Sequence, residues 1–144
     1  MRKSSISILA TILLLATSDV LAANEVTGSW AYSGPSDTGM LLKTVQRGST
    51  VQFQLELQRG APSYHSGWID GQFELNGASG TFQSTEYGTC EINFTFSQSS
   101  VQIGESEDKN DCGFGFGVHA IGSLRRTSTK KPRFDKHDPR ESSN

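Results

Sequence analysis

The sequence predicts an all-β fold, a small antiparallel eight-stranded up-and-down barrel or a strongly curled sheet with one disulfide. Apolar residues recur at every second position over much of the chain, which is typical of strands that bury one face. No stretch keeps a helical period for three turns, and the 15 glycines would weaken a helix. Short polar segments separate the alternating stretches, as expected for tight links between antiparallel strands.

The chain divides into three predicted parts. Residues 1–22 have a basic start, an apolar run and a small-residue end, so we expect a cleaved export signal. An uncleaved anchor is the alternative, but a spanning helix needs roughly 20 apolar residues, more than this run offers. Residues 23–124 contain every glycine and are expected to form the barrel domain. Residues 125–144 are poor in apolar side chains and are predicted to be a disordered basic tail.

The first four strands are expected at residues 27–33, 39–46, 51–58 and 67–75. The third is the clearest, because the apolar residues from Val51 to Leu57 alternate with glutamine and glutamate. Links rich in Gly, Pro, Ser and Asp follow the first three strands and mark where each one ends.

The other four strands are expected at residues 80–86, 90–97, 101–105 and 113–124. Asn76–Gly77 precedes the fifth strand and is the strongest hairpin signal, because its turn requires positive φ. In the eighth, Phe114 and Phe116 alternate with glycine, which predicts core packing; close approach of a partner's backbone to the glycines is the alternative. The polar run 105–111 is expected to be a loop.

Cys90 and Cys112 are expected to form a disulfide, because the chain is predicted to be exported. They open the sixth and eighth predicted strands. Strands two apart are separated by roughly 9.6 Å, whereas a disulfide tolerates about 7 Å between Cα atoms. The bond should therefore form beyond the end of the seventh strand, where it would hold the acidic loop.

In a meander, the links after the odd-numbered strands lie at one end of the barrel, and here these links are the longer ones. Aromatic residues on such loops are common binding anchors, and acidic loops beside them suit a basic partner. Packing at the barrel end and a solvated acidic surface are the alternatives. The predicted partner-binding residues are Tyr64, His65, Trp68, Glu105, Glu107 and Asp108.

Charge and motifs exclude several functional classes. Residues 23–124 carry eleven acidic and four basic side chains, which disfavours nucleic acid as a partner. The basic tail is interpreted as solubilising, with attraction to anionic envelope surfaces as the alternative. His65 and His119 lie in no catalytic or metal motif, although a triad built from His65 in space is an alternative. We expect a monomer without catalysis, cofactor, bound metal or transmembrane segment.

Four segments of the second half carry a resemblance: Cys90–Phe96, Val101–Ile103, Asp111–Val118 and Gly122–Arg126. They resemble the C-terminal half of small periplasmic β-barrel proteins of Gram-negative bacteria, whose build is similar to lipocalin-like barrels and to periplasmic lysozyme inhibitors. The resemblance implies a barrel that is periplasmic or secreted.

The resemblance and the predicted loops together give a leading hypothesis, an inhibitor or immunity factor against a cationic cell-envelope hydrolase such as lysozyme. A lipocalin-like carrier of a small apolar ligand and an envelope structural protein are the alternatives. The carrier needs a cavity inside the barrel, and six phenylalanines are expected to fill it instead: Phe53, Phe73, Phe94, Phe96, Phe114 and Phe116.

Overall fold

The computed structural model describes residues 25–35 and 38–136, so the predicted export signal lies outside the described residues. Each strand pairs antiparallel with the next, and the last pairs with the first, which closes the barrel and confirms the predicted fold class. Within the described ranges, no helix is long and apolar enough to cross a membrane. The strands are β1 (Gly28–Ser33), β2 (Gly39–Arg47), β3 (Thr50–Gln58), β4 (Ser66–Asn76), β5 (Ser79–Ser84), β6 (Cys90–Phe96), β7 (Ser100–Asn110) and β8 (Gly122–Ser128).

The strands β1 to β6 begin and end within two residues of their predicted bounds, whereas the last two predicted strands are wrong. β7 continues to Asn110, so most of the acidic run is strand rather than loop. The predicted strand 113–124 is a link up to residue 121, and only its last residues belong to β8. Gly113 and Gly117 have φ values of +77° and +70°, a left-handed conformation that interrupts an extended backbone.

The predicted boundary at residue 124 is also wrong, because β8 continues to Ser128 and includes two arginines that were assigned to the tail. The Arg126 guanidinium lies 4.6 Å from the centre of the Trp30 ring and donates to the carbonyls of Glu25 and Thr27, both at 2.8 Å. It therefore joins β8 to the segment that precedes β1. Residues 129–136 are described too, and the Asp135 carbonyl accepts a hydrogen bond from Gln54 on the barrel wall. Residues 137–144 lie outside the described residues.

Aromatic rings fill the barrel interior. Phe73 stacks on Phe94 with ring centres 4.7 Å apart, and Phe53 lies 5.1 Å from Phe94. These three rings and Phe96 are buried, as predicted. The prediction is wrong for Phe116, which is 84% exposed, whereas Phe114 packs partly buried against the core.

The disulfide between Cys90 and Cys112 is present, with the Cα atoms 4.8 Å apart. Cys112 lies two residues after the end of β7, so the bond forms beyond that strand, as predicted. Both cysteines are buried in the core. The bond consequently joins the start of β6 to the start of the link between β7 and β8.

The pairing between β4 and β5 is much shorter than that between β3 and β4. Only Leu75–Gly80 and Asn76–Ser79 are in register between β4 and β5, against nine residue pairs between β3 and β4. β4 and β5 therefore separate as they run away from their hairpin. The gap opens at the end of the barrel where the longer links lie.

Candidate functional site

The links after β1, β3, β5 and β7 span residues 34–38, 59–65, 85–89 and 111–121, whereas the other three links have two or three residues each. In this closed meander the four longer links lie at the same end. The prediction that they gather there is confirmed. We call this end the long-loop rim, defined by those four links.

The link 59–65 places the predicted aromatic anchors at the long-loop rim. Two backbone hydrogen bonds close the link, from Arg59 N–H to the His65 carbonyl at 2.9 Å and from Tyr64 N–H to the Gly60 carbonyl at 3.2 Å. Tyr64 has a φ of +50° and its side chain is 56% exposed. His65 is exposed and Trp68 is half-buried on β4, so all three predicted residues lie on or directly after this link.

The link 111–121 crosses the gap between β4 and β5. The Gly115 N–H donates to the Ser66 carbonyl at 2.9 Å, which continues the edge of β4. The Phe114 ring lies against Gly67, where an added Cβ would come within 2.6 Å of it. Together with the disulfide at Cys112, these contacts fix the first half of the link and leave Phe116 pointing outward.

A cleft of about 380 Å³ lies between the two links. The segment from Ser63 to Trp68 forms one wall, and Tyr87 and Phe114 stand on the other. A second hollow of about 540 Å³ lies on the far side of the same segment, along β1 to β4, and includes Tyr32 and Glu56. Tyr64 and Trp68 border both spaces, so a ligand or partner in either would contact them.

The acidic residues do not form the predicted loop, and they divide into two groups. Glu105 is turned inward with its side chain only 3% exposed; it accepts hydrogen bonds from the Ala120 N–H and, at 3.1 Å, from Nδ1 of His119. Its place in the predicted contact surface is therefore wrong, because a buried carboxylate that holds the rim cannot meet a partner. Glu107 and Asp108 are exposed near the end of β7, close to the long-loop rim.

Glu91 on β6 has the most strongly shifted pKa in the site. Its carboxylate accepts hydrogen bonds from Ser106, Lys109 and Gln83, at 2.6 to 2.9 Å. These bonds, of which the one from Ser106 has the largest effect, lower the pKa of Glu91 to about 2. The hydrogen bond between Lys109 and Glu91 raises the pKa of Lys109. The ion pair fastens the outer part of β7 to β6, so Glu91 has a structural role beside the exposed carboxylates.

Three exposed apolar residues of the long-loop rim were not predicted as site residues. Tyr87 is 67% exposed, Phe116 84% and Ile121 59%. Tyr87 stands beside a glycine in the link 85–89, and an aromatic residue in a turn is the sequence feature that could have identified it as a site residue. Phe116 was misassigned because its alternation with glycine imitates a buried strand.

The described residues contain no group of three or more His, Cys, Asp or Glu side chains that could hold a metal ion. Comparison with protein-family models, with curated proteins and with solved structures found no match.

Proposed function

We propose that the protein is an exported binding protein without catalytic function, whose long-loop rim binds a cationic cell-envelope hydrolase such as lysozyme. One observation carries the proposal: exposed Tyr64, Tyr87, Phe116 and Ile121 all stand on the long-loop rim. Several exposed apolar side chains on one surface are typical of a protein contact, and aromatic residues are its usual anchors. The disulfide supports an oxidising compartment such as the periplasm or the exterior.

The charge of this end of the barrel favours a basic partner. Glu107 and Asp108 are exposed near the end of β7, and Glu86 and Asp111 are exposed in two of the links. Opposite charge speeds the encounter of two proteins, while burial of apolar anchors holds the complex together. A basic hydrolase with an open cleft meets both conditions.

The alternative function, a carrier of a small apolar ligand, has less support because phenylalanine rings occupy the barrel interior where such a ligand would bind. Phe53, Phe73 and Phe94 contact one another across the interior at 4.7 to 5.7 Å between ring centres. An eight-stranded barrel has room for either side chains or one small ligand. The binding capacity of this protein is therefore assigned to its outer surface.

The direct test is retention of lysozyme, and of hydrolases from an envelope extract, on the immobilised protein at low salt. We expect retention that weakens as salt is added, and protection of a cell-wall suspension against lysis. The absence of both retention and protection would overturn the proposal.

Two pairs of variants locate the contact. Phe116→Ser should weaken binding by more than about tenfold, whereas Thr81→Ala, on the exposed face of β5, should leave it unchanged. Glu107→Lys should slow association, and Glu25→Lys, which makes the same change in charge at the opposite end, should slow it less. Equal effects within each pair would exclude the long-loop rim as the contact.

A further inference from the structure

The segment that follows β8 returns to the barrel and binds to its outer wall. At β3, the Gln54 side chain donates from Nε2 to the Asp135 carbonyl at 2.9 Å and accepts at Oε1 from the Asp135 N–H, also at 2.9 Å. One amide side chain thus pairs with both polar groups of a residue's backbone, as a neighbouring strand would. These contacts leave Gln54 only 2% exposed, although it faces outward.

The side chain of Asp135 is recognised as well as its backbone. Its carboxylate forms an ion pair with the ammonium of Lys43, which stands opposite Gln54 on β2. Lys43 also lies 3.9 Å from Glu56, and its side chain is only 15% exposed. A partly covered lysine beside a backbone-reading amide selects an acidic residue at this position.

The residue before Asp135 is the aromatic Phe134, which fills only part of a hollow on the outer wall. Phe134 is 37% exposed and borders a hollow of about 260 Å³ whose walls include Gln52, Gly71 and Gln72. Gln72 on β4 and Gln52 on β3 are exposed on the outer face, beside the ring. The hollow extends beyond the Phe134 ring, which fills it only in part.

From these contacts we propose that the outer wall around Lys43, Gln54 and Gln72 is a docking site for an extended segment of a partner protein. The segment it takes has an aromatic residue followed by an acidic one, and the chain's own Phe134–Asp135 holds the site in its absence. Lys43 accounts for the acidic residue, and Gln54 accounts for the extended backbone. Thr129 to Lys131, which connect β8 to the docked residues, are exposed. The site is separate from the long-loop rim, and the inference does not depend on the function proposed for that end.

The test uses the full chain with Phe134→Ser and Asp135→Ser, which empties the site, and a capped peptide of residues 130–136. A tethered segment competes at an effective concentration on the order of millimolar. The peptide should therefore bind the double variant at least about tenfold more tightly than the wild type. A peptide with the Phe and Asp exchanged has the same composition and should not bind, and one with Trp in place of Phe should bind more tightly.

Gln54→Ala and, separately, Lys43→Met in the double variant should each lower the peptide's affinity, with near-ultraviolet circular dichroism confirming that the barrel is folded. Equal binding of the peptide to wild type and double variant, or equal binding of the exchanged peptide, would overturn the proposal. Self-association of the wild type that the double variant loses would also overturn it, because the occupant would then be a second copy of the chain.

Discussion

At the residue scale, two carboxylates fasten the long-loop rim to the barrel by bonds within the protein. Glu105 binds the Ala120 N–H and the His119 ring, and so anchors the end of the link 111–121. Glu91 binds Ser106 and Lys109, and so anchors the outer part of β7. In the sequence, these carboxylates look like part of a solvated acidic surface. Only their hydrogen-bond partners in the structure distinguish carboxylates that hold the fold together from those that face solvent.

The lowered pKa of Glu91 predicts a pH dependence of stability. Because the pKa falls from 4.5 to about 2 on folding, its contribution is complete above pH 4.5 and is lost as the pH falls toward 2. The difference in Tm between wild type and Glu91→Gln should accordingly be largest at neutral pH and vanish near pH 2. Thermal unfolding followed by circular dichroism between pH 7 and pH 2 would measure it. A difference that is independent of pH would contradict the assignment.

Gly67 on β4 is predicted to be intolerant of any side chain. An alanine Cβ would come within 2.6 Å of the Phe114 ring, so the ring and its link must move. Gly67→Ala should lower the free energy of unfolding by about 1–3 kcal/mol. Gly104→Ala on β7 is the matched control, because its Cβ would have nothing within 4 Å. Urea denaturation of both variants gives the comparison, and equal stabilities would refute the packing argument.

At the scale of the elements, alternation of apolar residues predicts those strands that keep one face on the core. It succeeds for β3, where Val51, Phe53 and Leu55 are all buried. It fails for the outer half of β7, where the three residues Cys90 to Ile92 of β6 face the six residues from Glu105 to Asn110 and the side chains meet polar partners. It also fails for Phe114 and Phe116, because the left-handed glycines around them are invisible in an apolar pattern.

The candidate site was predictable to the extent that loop position determines it. Tyr64 and His65 lie at the long-loop rim, with Trp68 beside it on β4, because a meander alternates its links between two ends. Glu105 was wrongly included since its inward turn depends on the unforeseen continuation of β7. The docked Phe134–Asp135 could not be foreseen, because a polar segment with one aromatic residue carries no sign of what it will bind.

Loss of the disulfide should destabilise the link 111–121 most, because Cys112 lies near the start of that link. Cys90 and Cys112 close a loop with a sequence separation of 22, so replacing both by alanine should lower the free energy of unfolding by about 3 kcal/mol. The link 111–121 should lose protection from proteases before the strands do. Limited proteolysis with mass spectrometry, alongside urea denaturation, would show the order. First cleavage in β3 or β6 would contradict it.

At the scale of the whole molecule, the packed rings of the interior hold the eight strands around one core. Phe94 is fully buried and contacts Phe53, Phe73 and Phe96, whereas Phe116 is 84% exposed. Phe94→Ala should therefore lower the free energy of unfolding by about 3–5 kcal/mol. Phe116→Ala should change it by less than about 0.5 kcal/mol. Both values come from chemical denaturation at neutral pH, and similar losses for the two variants would contradict the structure.

Because β4 and β5 pair over only a short length, neighbouring strands are held together by unequal numbers of residue pairs around the barrel. With two register pairs there against nine between β3 and β4, local opening needs the fewest broken bonds along that line. Amide protons of Asp70 and Gln72, on the side of β4 away from β3, should exchange with deuterium sooner than those of β3, which is paired on both sides. Uniform protection around the cylinder would refute this. The wall is accordingly a rolled sheet with one weak join, and thermal breathing begins at that join.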